Sequence, residues 1–127
     1  MSRFSRFSAG FILTVLLSLG AWAENPEHVQ QARDTGSCPS CDLSSAYLKA
    51  LQAPLGDLSN ASLQGALLWD SNLVETSFAG ADLTGAELLG ANLYAADLTG
   101  ANLAGVITDA TTTCPDGSPG PCVFSSP

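Results

Sequence analysis

The chain has 127 residues and a formal net charge of −8, from 12 acidic residues against four Lys and Arg. This length allows one domain, and a composition that is 46% apolar and 13% charged excludes a disordered polyelectrolyte. The acidic balance also argues against a nucleic-acid-binding protein, which would carry a basic patch.

The first 23 residues are predicted to be a secretory signal peptide. Arg3 and Arg6 form a positively charged start, residues 11–19 are an apolar run, and residues 21–23 (AWA) match a small-x-small cleavage site. The apolar run is shorter than the roughly 20 residues of a membrane-spanning helix. A membrane anchor is therefore not expected, and because no Cys stands directly after the cleavage site, neither is a lipoprotein.

Cleavage would leave a mature chain of residues 24–127. Arg33 and Lys49 would then face all 12 acidic residues, for a net charge of −10. We expect this chain to be exported to the periplasm or the thylakoid lumen, or secreted, and not to be held in a membrane. Disulfides persist in such compartments.

A helix is predicted at residues 26–34. Asn25 is a favoured N-cap, Pro26 suits the first helical position, and Gly36 stands where a C-cap glycine belongs. The only histidine of the chain, His28, lies among polar residues and is expected to be an exposed helix residue.

From residue 41 to residue 105 the sequence repeats every five residues, as in residues 81–105 (ADLTG AELLG ANLYA ADLTG ANLAG). The third residue is Leu or Phe in 12 of the 13 units, and Ala53 is the exception. A period of five matches neither a helix nor a continuous strand, so the chain must turn a corner in every unit. The first and third residues, two apart, then point inward, the second points outward, and the last two form the turn.

This A-[DN]-L-x-x pattern resembles the pentapeptide-repeat family, and in particular short exported members from cyanobacteria. The resemblance implies an all-β solenoid, a right-handed quadrilateral β-helix with four units per coil and about 3–4 coils. We therefore expect four regions, which are listed here in chain order: a signal peptide (1–23), an N-terminal capping α-helix (24–37), the β-helix (38–110) and a C-terminal cap rich in Pro, Gly and Cys (111–127).

The four cysteines lie in two pairs at the ends of this expected rod. Cys38 and Cys41 precede the repeat, and Cys114 and Cys122 follow it. The rod would hold the pairs farther apart than the roughly 7 Å between Cα atoms that a disulfide allows. We therefore predict the bonds Cys38–Cys41 and Cys114–Cys122, the second closing a C-terminal loop. A redox-active Cys38-x-x-Cys41 is the alternative, but it lacks the strand and helix context of such sites.

No catalytic, metal-binding or cofactor-binding motif is found, so the chain is predicted not to be an enzyme. Asp42 and Asp82, and likewise Asp57 and Asp97, would stack two coils apart, about 10 Å, near the spacing of an inverting glycosidase. A flat β-helix wall offers no cleft for a sugar, so these carboxylates are interpreted as solvated side chains.

Outward-pointing apolar residues are expected to form one patch on two neighbouring faces. The candidate partner-binding residues are Tyr47, Leu67, Trp69, Val74, Leu89 and Tyr94, with Ile107 beside them. Such a patch with Trp and Tyr is typical of a contact site for a protein partner or for self-association. The alternative is that the tail or the helix covers it.

The predicted function is therefore an exported, non-enzymatic structural or protein-interaction module whose partner is unknown. A second hypothesis is a DNA mimic that binds gyrase, as some members of the family do. The net charge of −10 fits that hypothesis, whereas the signal peptide and the few coils do not. The third is a thiol-disulfide protein acting through Cys38 and Cys41.

Overall fold

A computed structural model describes residues 24–124 of the protein. The predicted signal peptide, residues 1–23, lies outside the described residues, as do residues 125–127. No helix within the described range is long and apolar enough to cross a bilayer.

Helix α1 spans Pro26–Thr35, one residue longer than the sequence predicts. The side-chain oxygen of Asn25 accepts hydrogen bonds from the N–H groups of Glu27 (3.1 Å) and His28 (3.2 Å), which satisfies two free donors of the first turn. Gly36 ends the helix at φ 70°, and its N–H donates to the carbonyl of Ala32 at 2.8 Å. This left-handed conformation is open to glycine without strain.

After α1 the chain winds into a four-sided solenoid whose coils pair through parallel β-bridges between residues 20 apart. The bridged residues define four faces. Face 1 carries Asp42, Ser62, Asp82 and Asn102; face 2 carries Tyr47, Leu67, Glu87 and Ile107; face 3 carries Gln52, Asn72, Asn92 and Thr113; face 4 carries Asp57, Ser77 and Asp97. The step of 20 confirms four units per coil.

The pairing differs from the short strands that the sequence predicts. Within residues 24–124 each extended stretch is a single bridged residue, and no longer strand forms. The reason is that two of every five residues are taken by a turn. The coils are instead held by repeated backbone bonds, such as Leu63 N–H to Asp82 O (2.7 Å) and Ser62 N–H to Cys41 O (2.9 Å).

The core lies along the axis of the solenoid. The third residue of each unit is buried through most of its length, from Leu43 to Leu93, with Phe78 among these residues. Leu51 and Ala53 exchange large and small sizes, yet both are buried and the bridge of Gln52 to Asn72 continues through them. The first coil therefore keeps its register at this departure from the repeat.

Two polar residues in small inward positions are fully hydrogen-bonded. Ser71 donates to the carbonyl of Leu48 (3.1 Å), and Thr76 donates to the carbonyl of Ala53 (2.6 Å). Each hydroxyl thus meets a backbone oxygen of the preceding coil, which removes the cost of burying it.

Side chains of α1 and of the segment after it cover the open edge of the first coil. The ring nitrogen Nδ1 of His28 accepts the N–H of Asp42 at 2.9 Å, and Ser37 Oγ accepts the N–H of Asp57 at 2.9 Å. The Arg33 guanidinium donates to the carbonyls of Tyr47 (2.7 Å) and Lys49 (3.4 Å). The prediction of an exposed His28 is wrong, because this residue is half-buried. Its ring accepts an N–H that, in later coils, donates to a carbonyl of the preceding coil.

The other end of the solenoid closes with a loop. One extra residue enters before Thr113, so that Asn92 pairs with a residue 21 positions later instead of 20. The chain then turns back, and Thr113 pairs antiparallel with Pro119. Cys114 is bonded to Cys122, with Cα atoms 5.6 Å apart. Bridging therefore reaches Thr113, beyond the boundary at residue 110 that the sequence suggests.

Candidate functional site: the apolar face of the solenoid

Face 2 differs from the other three faces in what it presents to solvent. The bridged positions of faces 1, 3 and 4 hold Asp, Asn, Gln, Ser or Thr, whereas face 2 holds Tyr47, Leu67, Glu87 and Ile107. Tyr47 is 54% exposed and Ile107 is 47% exposed, while Leu67 is half-buried. Since these positions point outward, Tyr47 and Ile107 leave about half of their surface to solvent.

The corner after face 2 carries the fourth residue of each unit: Lys49, Trp69, Leu89 and Asp109. The indole Nε1 of Trp69 donates to Oε2 of Glu87 at 2.8 Å. This bond holds the half-buried Trp69 ring toward face 2. It also supplies a donor to Glu87, the one carboxylate among the bridged residues of face 2. A Trp with a satisfied N–H and a fixed ring is the kind of side chain that anchors interfaces.

Sequence reasoning missed Glu87 as part of this surface. Trp69 and Glu87 are 18 residues apart, and only the four-unit coil makes such residues diagonal neighbours. Once residues 20 apart are known to stack, this pair can be found from the repeat frame. The carboxylate therefore stands between Leu67 and Ile107 in a column that would otherwise be apolar.

Val74 and Tyr94 lie on a different edge of the molecule. They follow face 3, and the amide column of Gln52, Asn72 and Asn92 separates them from face 2. The six predicted partner-binding residues thus fall into two groups. Tyr47, Leu67, Trp69 and Leu89 belong to face 2 and its corner, and the other two flank face 3.

The C-terminal loop reaches the second group. A Cβ atom at Gly117 would lie 3.3 Å from the ring of Tyr94, so the loop packs against this tyrosine. Tyr94 nevertheless keeps 51% of its surface exposed. The expectation that the tail covers apolar residues therefore has support at Tyr94, while Tyr47 and Ile107 of face 2 stay about half exposed.

Faces 1 and 4 carry carboxylates that favour the charged form. Asp42, Asp57, Asp82 and Asp97 each stand two residues before a Ser or Thr, whose hydroxyl and N–H lower the pKa of the carboxyl. The same turn lowers the pKa of Asp109 beside Thr111 and of Asp116 beside Ser118. Hydrogen bonds to a carboxylate stabilise its ionised state. These turns therefore keep the carboxylates ionised to a lower pH than their ordinary pKa would allow.

A cleft of about 430 Å³ at the C-terminal loop is lined in part by Leu103, Cys114 and Phe124, and none of the four stacked aspartates lines it. Within residues 24–124 no three His, Cys, Asp or Glu side chains are grouped so that they could hold a metal ion.

The Cys38–Cys41 pair is buried at the start of the solenoid. Its Cα atoms lie 5.5 Å apart, and Cys38 and Cys41 are 0% and 6% exposed. Thiol–disulfide exchange needs a thiolate to reach one of the sulfurs. Both sulfurs instead lie in the core, where they staple the first coil.

The repeat region matches the protein-family model described as pentapeptide repeats, in eight copies over residues 57–93 and 76–107. No curated protein matches the chain.

Solved structures of such proteins are also similar. A pentapeptide repeat protein from the thylakoid lumen of Arabidopsis thaliana is 26% identical, with 70% of this chain and 64% of that chain covered and a TM-score of 0.55. One from the cyanobacterium Cyanothece 51142 is 33% identical over 60% of this chain and 55% of that chain, with a TM-score of 0.38. One from Nostoc PCC 7120 is 25% identical over 79% of this chain and 88% of that chain, with a TM-score of 0.45. The chain thus spans less than two thirds of the length of the first two proteins.

Proposed function

The chain belongs to the pentapeptide-repeat family, whose members fold as right-handed quadrilateral β-helices, and on that premise we propose that it is an exported, non-enzymatic module that binds a protein through face 2. The observation that carries this proposal is the contrast between faces. Three faces present acidic or polar side chains, and face 2 presents Tyr47, Leu67 and Ile107 with Trp69 fixed beside them. An apolar column on a polar rod is typical of a contact surface.

The proposed export rests on the predicted signal peptide and on the chemistry of the mature chain. Two cysteine pairs at bonding distance suit a compartment in which disulfides persist. The similar Arabidopsis protein comes from the thylakoid lumen, which is one such destination. The first test is the mass of the protein recovered from cells. We expect a chain that begins at Glu24 in the exported fraction, and a full-length chain in the cytoplasm would contradict export.

The non-enzymatic part of the proposal follows from the family and from the geometry. Pentapeptide-repeat proteins are generally structural modules. In this chain the aspartates of faces 1 and 4 stand on exposed walls, and burial of Cys38 and Cys41 favours a structural bond over redox chemistry.

Photo-crosslinking from matched positions tests binding through face 2. Leu67 and Ser77 are bridged residues of the same coil, on faces 2 and 4. A photoreactive amino acid is placed at either position, and the protein is irradiated in its native cells. We expect a defined protein adduct from position 67 and none from position 77. No adduct at 67, or equal adducts from both, would overturn the proposal.

A further inference from the structure

The charges around face 2 have opposite signs at the two ends of the rod. Within residues 24–124 the only Lys and Arg residues are Arg33 and Lys49, and both lie at the first-coil end of this face. Glu24 lies there too, and its Oε2 accepts the N–H of Tyr47 at 3.2 Å, so this end has a net charge of +1. Toward the other end stand Glu87, Asp109 and the carboxylate of Asp70, which lies beside Gly90, so this end has a net charge of −3.

The cationic end is held in place. The Arg33 guanidinium donates to the carbonyls of Tyr47 and Lys49, the residues that begin face 2 and its corner. Its charge is therefore fixed at the edge of the face. Asp109 is fixed as well, because its Oδ1 accepts the N–H groups of Thr111 (2.9 Å) and Thr112 (3.1 Å).

We propose that face 2 binds face 2 of a second copy of this chain, with the two rods antiparallel. This inference rests on the proposed function and names its partner. A two-fold axis across the middle of the face relates the first coil of one copy to the fourth coil of the other, and the second to the third. Such an interface is isologous, so every contact occurs twice.

The antiparallel register pairs complementary side chains in three of its four contacts. Lys49 lies opposite Asp109 of the second copy, Trp69 opposite Leu89, and Tyr47 opposite Ile107. Leu67 lies opposite Glu87, whose carboxylate is already bonded to the Trp69 indole. Since oppositely charged ends meet, electrostatics favour this orientation.

Other arrangements of two copies lack this match. Parallel rods that join by face 2 around an axis along the rods would place the two corners at opposite edges of the interface, so Lys49 and Asp109 of the two copies would not meet. Pairing through face 1 or face 4 would oppose columns of ionised aspartates such as Asp82 and Asp97, whose pKa values are lowered by their turns. Among the faces that carry charged side chains, charge complementarity therefore favours face 2 and the antiparallel orientation.

Sedimentation of the purified exported protein at low salt tests this arrangement. We expect a dimer, and we expect the substitutions Lys49→Gln and Thr99→Glu to behave differently although each lowers the net charge by one. Lys49→Gln removes two exposed ion pairs per dimer, so the dissociation constant should rise roughly 2- to 30-fold. Thr99 lies beside face 4, so Thr99→Glu should leave it unchanged. Trp69→Ser should also weaken the dimer, and circular dichroism checks that each variant stays folded.

A second pair of variants tests the orientation. Lys49→Glu places a negative charge opposite Asp109, and adding Asp109→Asn removes that repulsion while keeping the side-chain oxygen that Thr111 and Thr112 bond. We expect the double variant to dimerise better than Lys49→Glu alone. No recovery would overturn the antiparallel register.

The two proposals fail in different ways. A wild-type chain that stays monomeric at ~100 µM, about a hundredfold above a micromolar dissociation constant, would overturn the second copy as partner. Equal effects of Lys49→Gln and Thr99→Glu would overturn it as well. If position 67 still crosslinks to another protein, binding through face 2 stands. If position 67 gives no adduct at all, the proposed function fails as well.

Discussion

At the amino-terminal end of the solenoid, the open edge of the first coil is covered by side chains, whereas the carboxy-terminal end keeps free backbone groups. His28, Arg33 and Ser37 bond the backbone of the first coil. At the other end, the N–H groups of Leu98 and Leu103 have no bonding partner among residues 24–124. The same repeat thus has two different ends, because each edge depends on what the flanking segment can place against it.

The turns differ between the ends as well. The fifth residue of each unit has φ between 55° and 70°. In the first coil and just before it, this position holds Ser40, Ser45, Ala50, Leu55 and Asn60, while from residue 80 onward it is Gly in all units except that of Ala95. Non-glycine residues are strained in this left-handed region. The first coil therefore carries more turn strain, and it is also the coil that α1 and the Cys38–Cys41 bond reinforce.

The largest expected effect compares one core column at mid-length and at its end. Leu63, Leu83 and Leu103 stack in one column; Leu83 is 1% exposed and Leu103 is only partly buried. Leu83→Asp would bury an unpaired carboxylate and should cost about 4 kcal/mol or more, which unfolds the rod. Leu103→Asp can reach solvent, so it should cost roughly 1 kcal/mol.

Thermal melts followed by circular dichroism measure both variants. A cooperative melt of Leu83→Asp equal to that of wild type would show that the inward frame is wrong. Equal destabilisation by the two substitutions would show that the carboxy-terminal end is as closed as the middle.

The repeat could be predicted from the sequence because its cause is local. Inward and outward positions follow from the spacing of Ala, Asp and Leu within each unit, and this frame correctly places residues such as Leu83. The roles of His28 and Arg33 could not be predicted, since they depend on how α1 crosses the edge of the first coil. The pair of Trp69 and Glu87 needs the coil length, which the five-residue period alone does not supply.

The next largest expected effect concerns Arg33, which covers the amino-terminal edge of the first coil. Arg33→Met keeps most of the apolar stem but leaves the carbonyls of Tyr47 and Lys49 without their donors. Because water can reach this edge, we expect a loss of about 1 kcal/mol in the free energy of unfolding, measured by chemical denaturation. The stability of Arg33→Lys should fall between those of wild type and Arg33→Met, since an ammonium group can still donate. If Arg33→Met is as stable as wild type, the guanidinium contributes no edge bonding.

The turn comparison predicts a gain in stability in the first coil. Leu55 has φ 60° and is 74% exposed, so Leu55→Gly relieves strain and loses little burial. We expect stabilisation by about 0.5–1 kcal/mol. Gly85 has φ 68° and no atom within 4 Å of an added Cβ, so Gly85→Ala should destabilise by a similar amount through the backbone alone. If Leu55→Gly is destabilising, its side chain has a packing role that its exposure hides.

The smallest expected effect compares two aspartate turns of one face at opposite ends. Asp57 and Asp97 both lie on face 4, and hydrogen bonds from Ser59 and Thr99 lower the pKa of each carboxyl below its ordinary value of 3.8. A lowered folded-state pKa stabilises the protein above pH 3.8, and this contribution is lost as the pH falls through the folded-state pKa. Thr99→Val removes the hydroxyl donor, so the pKa of Asp97 should move up toward 3.8 while that of Asp57 stays unchanged. Carboxyl titration by NMR measures both, and an Asp97 that already titrates at 3.8 in wild type would show that its turn opens at the less covered end.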